Sequence, residues 1–221
     1  MPISNVPTKQ PKSERTYAGV SMAERKSLRK KQFLAAGLRH FGCCGFRGAT
    51  VRSLCKEAKL TDRYFYESYA SLENLLVAVY ENCMTQLSKQ IVAAIIKGYQ
   101  NQDPKEAIIA GLDAYFEILE DAHLARICMT ELEGINPEVN KLYYHYIDGF
   151  AEILRVMAHH AFPDMKIPQQ QQEIMALSLV GAMRQAATHW LINDYKTPRE
   201  ELVTATGALF LGIIKVIEDS K

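Results

Sequence analysis

Apolar and polar positions along this chain recur with the period of an α-helix. In residues 21–41, one helical face collects four residues, and most of the basic residues fall on other faces. These four are Phe33, Gly37, His40 and Phe41. Ser21, followed three residues later by Glu24, predicts a capping box at the start of this helix, and Gly42 and Gly45 predict its end.

Two short helical patterns follow. The first opens at Thr50, a good N-cap residue, and turns one apolar stripe inward. The stripe consists of Val51, Leu54, Cys55 and Ala58. The second opens at Thr61, with Asp62 at a position where the helix dipole favours an acid. Two short helices joined by a tight turn, after a longer supporting helix, predict a helix-turn-helix.

The remainder of the chain has helical patterns separated by proline, glycine and short polar segments. The predicted helices cover residues 72–97, a segment beginning at 103, and residues 123–133, 137–161, 169–194 and 198–218. No segment has the alternation of a strand flanked by turn residues. The sequence therefore predicts an all-α protein with a flexible basic arm (1–20), an N-terminal three-helix helix-turn-helix domain (21–70) and a larger helical domain (71–221).

The net charge of +1 conceals an uneven distribution of charge. Residues 1–66 contain 14 Lys and Arg against 4 acidic residues, whereas the rest of the chain contains 12 basic and 21 acidic residues. A basic first third on an acidic body predicts an end that binds a polyanion. The alternative is a solvated basic helix without such a partner.

Cysteine use and hydropathy bear on where the protein works. The five cysteines are an odd number without a C-x-x-C pair, which indicates a reduced intracellular chain and not a disulfide framework. The N-terminus lacks the apolar segment of a signal peptide, and the longest uncharged run, residues 202–214, is too short to span a bilayer. These features predict a cytoplasmic protein without a membrane partner.

Aromatic residues crowd the second short helix, in the stretch TDRYFYESY that ends at Tyr69. If Phe65 packs inward, Tyr69 one turn later shares the buried side, and Tyr64 and Tyr66 are left facing outward. An exposed tyrosine offers a flat apolar ring and a hydroxyl that donates to a phosphate oxygen. One face of this helix can therefore pack on the first two helices while the other contacts DNA.

Residues 33–76 resemble the DNA-binding segment of the TetR family of transcriptional repressors. The resemblance rests on the order and spacing of Phe41, Gly45, Thr50-Val51-Arg52, Glu57-Ala58, Leu60-Thr61, Phe65-Tyr66, Ser71-x-Glu73 and Leu75-Leu76. It implies a homodimeric repressor whose C-terminal helical domain binds a small molecule and thereby loosens its hold on DNA. It also implies DNA contacts from eight positions: Thr50, Arg52, Thr61, Asp62, Arg63, Tyr64, Tyr66 and Ser71.

The resemblance implies a role for each of these positions. Thr50 and Arg52 would contact the DNA backbone and base edges, residues 61–64 would face the major groove, and Tyr66 and Ser71 would lie near phosphates. 

Three features depart from the family's pattern. Lys59 stands where the family usually has a turn glycine, so we expect a non-glycine residue at positive φ. Leu72 replaces the usual lysine and removes one phosphate contact. Asp62 and Glu67 bring negative charge towards DNA, which weakens binding unless Asp62 accepts from a cytosine amino group or orients Arg63.

Aromatic and methionine residues beyond position 80 are candidates for an effector pocket. The candidates are Met84, Tyr115, Phe116, Met129, Tyr144, Phe150, Met183 and Trp190. Together they predict a largely apolar effector, whereas the alternative for each residue is ordinary core packing.

Two C-terminal segments, residues 174–183 and 202–214, are apolar nearly all round and contain several small residues. A helix that is apolar on every face needs burial on every face, which predicts a four-helix interface between two protomers. The alternative places both helices in the centre of a monomer.

The sequence predicts neither a cofactor nor a metal site. Glu120-x-x-His123 has the spacing of a di-iron helix, but such a site needs a second copy, and no other histidine follows a glutamate at that distance. Cys43 and Cys44, predicted in the turn after the first helix, are either small apolar fillers or thiols open to oxidation.

These features predict a ligand-responsive transcriptional repressor, released from a palindromic operator by a small, largely apolar effector. Its predicted partners are double-stranded DNA, a second copy of itself and an unidentified small molecule. A non-specific architectural DNA binder stays as an alternative, although such a protein should be basic throughout. An enzyme on a helical scaffold is the other, but the chain contains no G-x-S-x-G, H-E-x-x-H, P-loop or Rossmann fingerprint, so we predict that it is not an enzyme.

Overall fold

The computed structural model describes residues 21–132 and 134–220. Within them it contains nine α-helices and no strand, so the predicted all-α fold is confirmed. The helices are α1 Met22–Cys44, α2 Val51–Ala58, α3 Asp62–Ser68, α4 Leu72–Gly98, α5 Pro104–Ile118, α6 Ala122–Met129, α7 Pro137–Ala161, α8 Gln169–Ile192 and α9 Arg199–Asp219. The predicted basic arm, residues 1–20, lies outside the described residues.

Local sequence explains where the first helices begin. The predicted capping box is present: Ser21 N donates to Glu24 Oε2 at 2.7 Å, and Glu24 N donates to Ser21 Oγ at 3.1 Å. Thr50 caps α2 by accepting from Ser53 N at 3.1 Å. Thr61 is the N-cap residue of α3, but its side chain makes no capping hydrogen bond.

The end of α1 differs from the prediction. The helix continues through Gly42, which allows its backbone to lie close to α6: a Cβ at this position would be 2.5 Å from the Cα of His123. Cys43 and Cys44 therefore lie in the last turn of α1 and not in the turn that follows it. Gly45 ends the helix as predicted, at a φ of 74°.

The end of α6 also differs from the prediction. The helix stops at Met129 and not at residue 133. The carbonyl oxygen of Met129 accepts from Arg184 Nη2 of α8 at 2.7 Å, and the hydroxyl of Thr130 donates back to the carbonyl of Arg126 at 2.9 Å. These contacts give the terminal carbonyl groups of α6 partners from side chains.

One large apolar core extends from the N-terminal helices into the helical body, and two smaller apolar clusters lie within the body. At the N-terminal end, the rings of Phe33 and Phe65 meet edge to face with centroids 5.4 Å apart. In the body, Phe116 and Trp190 do the same at 5.9 Å. Edge-to-face pairs stabilise packing by about 0.5–1.5 kcal/mol beyond the burial of their area. The two parts of the chain are therefore packed together as one core.

The helices of the body are arranged around α4 and α5. α4 packs along α5 and also contacts α1 and α6, α7 packs on α8, and α9 packs on α5 and α8. α4 and α7 meet at few points, and an apolar cavity lies between them. None of the described helices is both long and apolar enough to cross a membrane.

Candidate DNA interface and effector cavity

The turn between α2 and α3 closes without a glycine. Lys59 adopts φ 54° and ψ 40°, so the expected positive φ is confirmed. The backbone N–H of Lys59 donates to the carbonyl of Lys56 at 3.3 Å, and that of Leu60 donates to the carbonyl of Cys55 at 3.0 Å. These bonds satisfy carbonyl groups at the end of α2 and set the angle at which α3 leaves it.

The candidate residues of α2 are exposed at its N-terminal end. Thr50 Oγ1 accepts from the backbone of Ser53, and its own hydroxyl proton stays available for donation to a phosphate. Arg52, in the first turn of α2, is exposed to solvent. The hydroxyl of Ser53 is hydrogen-bonded to His40 Nε2 at 3.0 Å, which ties the start of α2 to α1.

A network of two arginines and one glutamate lies along α3. Arg63 Nε is 3.0 Å from Glu67 Oε1, and Arg29 Nη1 of α1 is 3.3 Å from Glu67 Oε2. The two guanidinium groups neutralise the carboxylate that the sequence had placed near DNA. Because the Arg63 side chain is 84% exposed, it can exchange this pair for a phosphate or a base edge.

The prediction that Tyr64 and Tyr66 both face outward is wrong for Tyr64. The guanidinium carbon of Arg29 lies 4.1 Å from the centre of the Tyr64 ring, and this cation–π contact leaves the ring half-buried. Tyr66 is 61% exposed, and Phe65 and Tyr69 are buried as predicted. Tyr66 is therefore the aromatic residue of α3 that is free to meet a phosphate.

Asp62 and Ser71 flank α3. Asp62 is exposed but lies near Cys55, where burial and, secondarily, the Asp62 carboxylate raise the pKa of the thiol to about 11. Ser71 caps α4: its Oγ accepts from Asn74 N at 3.3 Å and donates to Asn74 Oδ1 at 3.2 Å. At Cys44, the neighbouring Cys43 raises the pKa by hydrogen bonding and by its charge, which disfavours a reactive thiolate.

A carboxylate joins the end of α6 to the end of α1. Glu131 Oε2 accepts from the backbone N–H of Phe46 at 2.7 Å, immediately before the helix-turn-helix. The same carboxylate lies against Gly45, where a Cβ would be 3.3 Å from Oε2. No pattern in the sequence marks Glu131, since its partner lies 85 residues earlier and is a backbone group.

The space between α4 and α7 is an apolar inner cavity of about 70 Å³. Five of the eight candidate residues line it: Met84, Tyr115, Met129, Phe150 and Met183. Phe116 and Trp190 lie outside this lining and pack against each other in the core. Tyr144 also lies outside it, 59% exposed on the surface of α7. Residues absent from the sequence prediction, among them Tyr80, Tyr143 and Arg184, complete the wall.

Two further spaces adjoin the inner cavity. An outer cavity of about 450 Å³ lies between α4, α5, α7 and α9 and shares Ile95 and Leu154 with it. A groove of about 350 Å³ on the other side shares Met84, Phe150 and Ile153. The three spaces are adjacent along the α4–α7 gap, and their common walls are apolar side chains.

The inner cavity is a poor environment for charge. Burial raises the pKa of both Tyr80 and Tyr115 well above the usual range, and the Tyr115 hydroxyl lies 3.8 Å from Met129 Sδ, to which it donates. The Arg184 guanidinium lies at one end of the cavity, 4.9 Å from the centre of the Tyr143 ring. Such a cavity suits a hydrocarbon chain.

The outward faces of α8 and α9 carry apolar stripes. These stripes include Ile174 and Leu177 on α8 and Leu209 and Val216 on α9, all of them exposed. A Cβ added at Gly181 or Gly212 on the same helices would meet no atom within 4 Å. Each of these helices therefore leaves one apolar face uncovered within the described part of a single chain.

The described residues hold no cluster of three or more His, Cys, Asp or Glu placed to bind a metal. Glu120, half of the Glu-x-x-His pair, instead pairs with Arg199 Nη1 at 3.4 Å. The same arginine pairs with Asp113 through Nε at 3.2 Å and thus fixes the start of α9 on α5.

Several known proteins are similar to this chain in sequence or in architecture. No family model matches the chain. The fatty acid metabolism regulator protein of Bacillus subtilis (strain 168) is 21% identical over 154 residues, which cover 69% of this chain and 78% of that protein. The fatty acid degradation regulator FadR from Bacillus halodurans superposes with a TM-score of 0.72 at 19% identity, over 83% of this chain and 95% of its own.

Two more solved structures extend the comparison. FadR from Bacillus subtilis, in complex with stearoyl-CoA, gives a TM-score of 0.69 at 17% identity, over 81% of this chain and 96% of its own. A TetR-like transcriptional regulator from Rhodococcus sp. RHA1 gives 0.61 at 16% identity, over 85% and 97%. The chain has the TetR fold. In terms of that fold, α1–α3 form the N-terminal helix-turn-helix part and α4–α9 the helical C-terminal part.

Proposed function

We propose that this protein is a ligand-responsive, DNA-binding transcriptional regulator, a repressor that a largely apolar effector releases from a palindromic operator. One observation carries the proposal: the same chain combines an exposed, cationic α2–α3 surface with an apolar cavity in the body packed beneath it. The similar proteins named above are described as regulators, which supports a regulator over an enzyme.

DNA binding rests on the residues that α2 and α3 expose. Arg52, Arg63 and Tyr66 are side chains able to reach phosphates or base edges, and the Thr50 hydroxyl can donate to a phosphate. Thr61, Asp62 and Ser71 flank the same helices, and Tyr64 supports them from beneath Arg29. We assign these eight positions to the DNA interface, with Tyr64 acting through packing. A protein that binds DNA works where the DNA is, which agrees with the predicted cytoplasmic location.

Dimerisation through α8 and α9 is part of the proposal. Their exposed apolar stripes need a cover, and small residues such as Gly181 and Gly212 allow a partner's helices to approach closely. A two-fold dimer would present two copies of α3 to half-sites about 34–36 Å apart, so the operator should be palindromic.

A long hydrocarbon chain is the effector that fits the cavities best. Along α7, Tyr143 at one end and His160 at the other are separated by about 26 Å at the helical rise of 1.5 Å per residue. FadR from Bacillus subtilis was solved with stearoyl-CoA, whose acyl chain is of this kind. We therefore propose a long-chain acyl compound as the effector.

The DNA part of the proposal is tested by selecting from a genomic DNA library at moderate salt. Wild-type protein should enrich one palindrome, and Arg52→Ala should bind it about tenfold or more weakly, since a base or phosphate contact contributes about 1–3 kcal/mol. Arg155→Ala is the matched control, because Arg155 lies on α7 and pairs with Glu152. Uniform coating of DNA would instead favour an architectural protein, and absence of DNA binding would refute the proposal.

A further inference from the structure

The groove beside the inner cavity differs from it in chemistry. Its nine lining residues include four with polar side chains able to donate hydrogen bonds near the rim: Thr85, Ser88, Lys89 and His145. Lys89 and His145 are exposed, from α4 and α7 respectively. The floor, formed by Met84, Phe150 and Ile153, is also the wall of the inner cavity. The groove is therefore a more polar space that three apolar side chains separate from the inner cavity.

The groove is held open by the residue at its α7 edge. A Cβ added at Gly149 would meet no atom within 4 Å, so the space beside this glycine is unfilled. On the neighbouring turn, Tyr146 packs edge to face on Tyr80 with centroids 5.5 Å apart, which keeps α7 next to α4 at that point. The groove is thus bounded at one point by the packed rings of Tyr146 and Tyr80 and at another by Gly149, which has no side chain.

Charge in the groove favours an anion. Lys89 is the basic side chain of lysine or arginine type among the lining residues, and the ring of His145 can donate a further hydrogen bond. Glu81 lies towards the Tyr146 end, where it contributes to the raised pKa of that phenol after burial, the larger cause. Lys89 lies two helical turns beyond Glu81 on α4, so the cationic end of the groove is separated from this carboxylate by about 12 Å.

We propose that the groove between α4 and α7 is the head-group site of an anionic amphiphile whose hydrocarbon chain occupies the inner and outer cavities. This inference rests on the proposed function and names the end of the ligand that gives recognition. From Ser88 to Ile95, α4 leads about 10 Å along the inner cavity to the residue shared with the outer cavity. The anion is a carboxylate or a phosphate, since both accept from lysine and histidine donors.

The first test needs no variant. The full-length protein is titrated with stearate, stearoyl-CoA and methyl stearate, with direct binding and release of the selected operator as readouts. Stearate carries a carboxylate, stearoyl-CoA carries phosphates, and the ester has the same chain without charge. At least one anionic compound should bind about tenfold more tightly than the ester, because a charge-assisted hydrogen bond is lost with the charge. The anion that binds more tightly identifies the source of the head group.

Two variants locate the head group. Lys89→Gln should weaken binding of the preferred anion about five- to tenfold and leave the ester unchanged. Lys97→Gln removes the same charge from the exposed end of the same helix and should change neither. Gly149→Leu should fill the groove and weaken all three ligands, whereas Asp148→Leu, at the next exposed position, should not. Helical circular dichroism shows whether each variant is folded.

The outcomes separate this inference from the proposed function. If the ester binds as tightly as both anions and Lys89→Gln has no effect, the head-group site is refuted while an apolar effector stands. If none of the three compounds binds or releases the operator although the operator is recognised, the proposed effector class fails. Equal weakening of the acid by Lys89→Gln and Lys97→Gln would also refute the groove, because it would indicate general charge attraction.

Discussion

The helix-turn-helix and the helical body use aromatic residues in opposite ways. In α3, Phe65 and Tyr66 are neighbours in sequence, yet Phe65 is fully buried and Tyr66 is 61% exposed. In the body, Tyr80 and Tyr115 are buried but face a cavity. The first region keeps its functional side chains on the outside of short helices, and the second keeps them around an internal space. A motif of adjacent residues can encode the first arrangement, whereas the second requires several long helices to be packed.

The two regions share a core and are also joined by close polar and backbone contacts. Gly42 brings α1 against α6, and Glu131 holds the backbone of Phe46. Two residues before Glu131, Met129 forms part of the cavity wall, and its carbonyl group accepts from Arg184. A ligand that displaces the end of α6 would therefore act directly on the segment before α2. In the proposed function, the protein responds to its ligand by a change in the relative position of the DNA-binding helices.

The largest effect is expected from disrupting the proposed dimer interface on α8 and α9. Combining Leu177→Glu with Leu209→Glu places charges on the exposed stripes of α8 and α9, outside the buried core. The protein should become monomeric, and affinity for the palindrome should fall about 100-fold or more because the second half-site contact is no longer linked to the first. Light scattering and operator binding measure the two effects. Tyr144→Glu, at an exposed residue of α7 that lies outside the lining of both cavities, is the control, and a double variant that stays dimeric would contradict the interface.

The next largest effects are expected at Phe65 and Tyr66 of α3, which should respond differently to substitution by alanine. Phe65→Ala should reduce the free energy of unfolding of the N-terminal part by about 3–5 kcal/mol, since it empties a buried site. Tyr66→Ala should change stability by less than about 0.5 kcal/mol. It should nevertheless weaken operator binding about tenfold, the equivalent of one hydrogen bond to a charged phosphate. Thermal unfolding and operator titration measure these changes, and an unchanged operator affinity for Tyr66→Ala would remove this residue from the interface.

A smaller effect is expected at the junction of the two regions. Glu131→Ala removes a charge-assisted hydrogen bond to Phe46, a contact that contributes about 1.5–3 kcal/mol. The ratio of operator affinities without and with effector should fall about fivefold, since coupling between sites is typically 1–3 kcal/mol. Effector binding in the absence of DNA should stay unchanged. Glu138→Ala, which breaks an exposed pair with Lys141, is the control. An unaltered ratio in the Glu131 variant would show that the coupling uses another route.

The smallest effect concerns the turn of the helix-turn-helix. Lys59→Gly should increase the free energy of unfolding by about 0.5–1 kcal/mol, because glycine adopts φ 54° without a Cβ clash. Lys56→Gly removes the same charge from the interior of α2 and should instead lower stability by about 1 kcal/mol. A change of 1 kcal/mol corresponds to about 2–4 °C in Tm for a chain of this size. The same sign for both variants would mean that backbone strain at Lys59 is negligible.

The sequence by itself determined the helix content, the starts of α1–α3, the positive φ at Lys59 and the burial of Phe65 and Tyr69. These follow from caps, periodicity and dipole preferences, which act over three to eight residues. It also indicated five of the residues that line the inner cavity, because methionine and aromatic side chains commonly occupy such positions. The DNA-contact roles and the domain division are still predictions.

Only the tertiary structure decided the features that join distant segments. Arg29 covers Tyr64, Gly42 lies on His123, and Glu131 bonds to Phe46. Likewise, Arg184 binds the last carbonyl group of α6, and Phe116, Tyr144 and Trp190 lie outside the cavity because of where α5, α7 and α8 pack. Local preferences fix how each helix begins and which face is apolar. The neighbour that covers that face is chosen by the packing of all the helices, which no short stretch of sequence specifies.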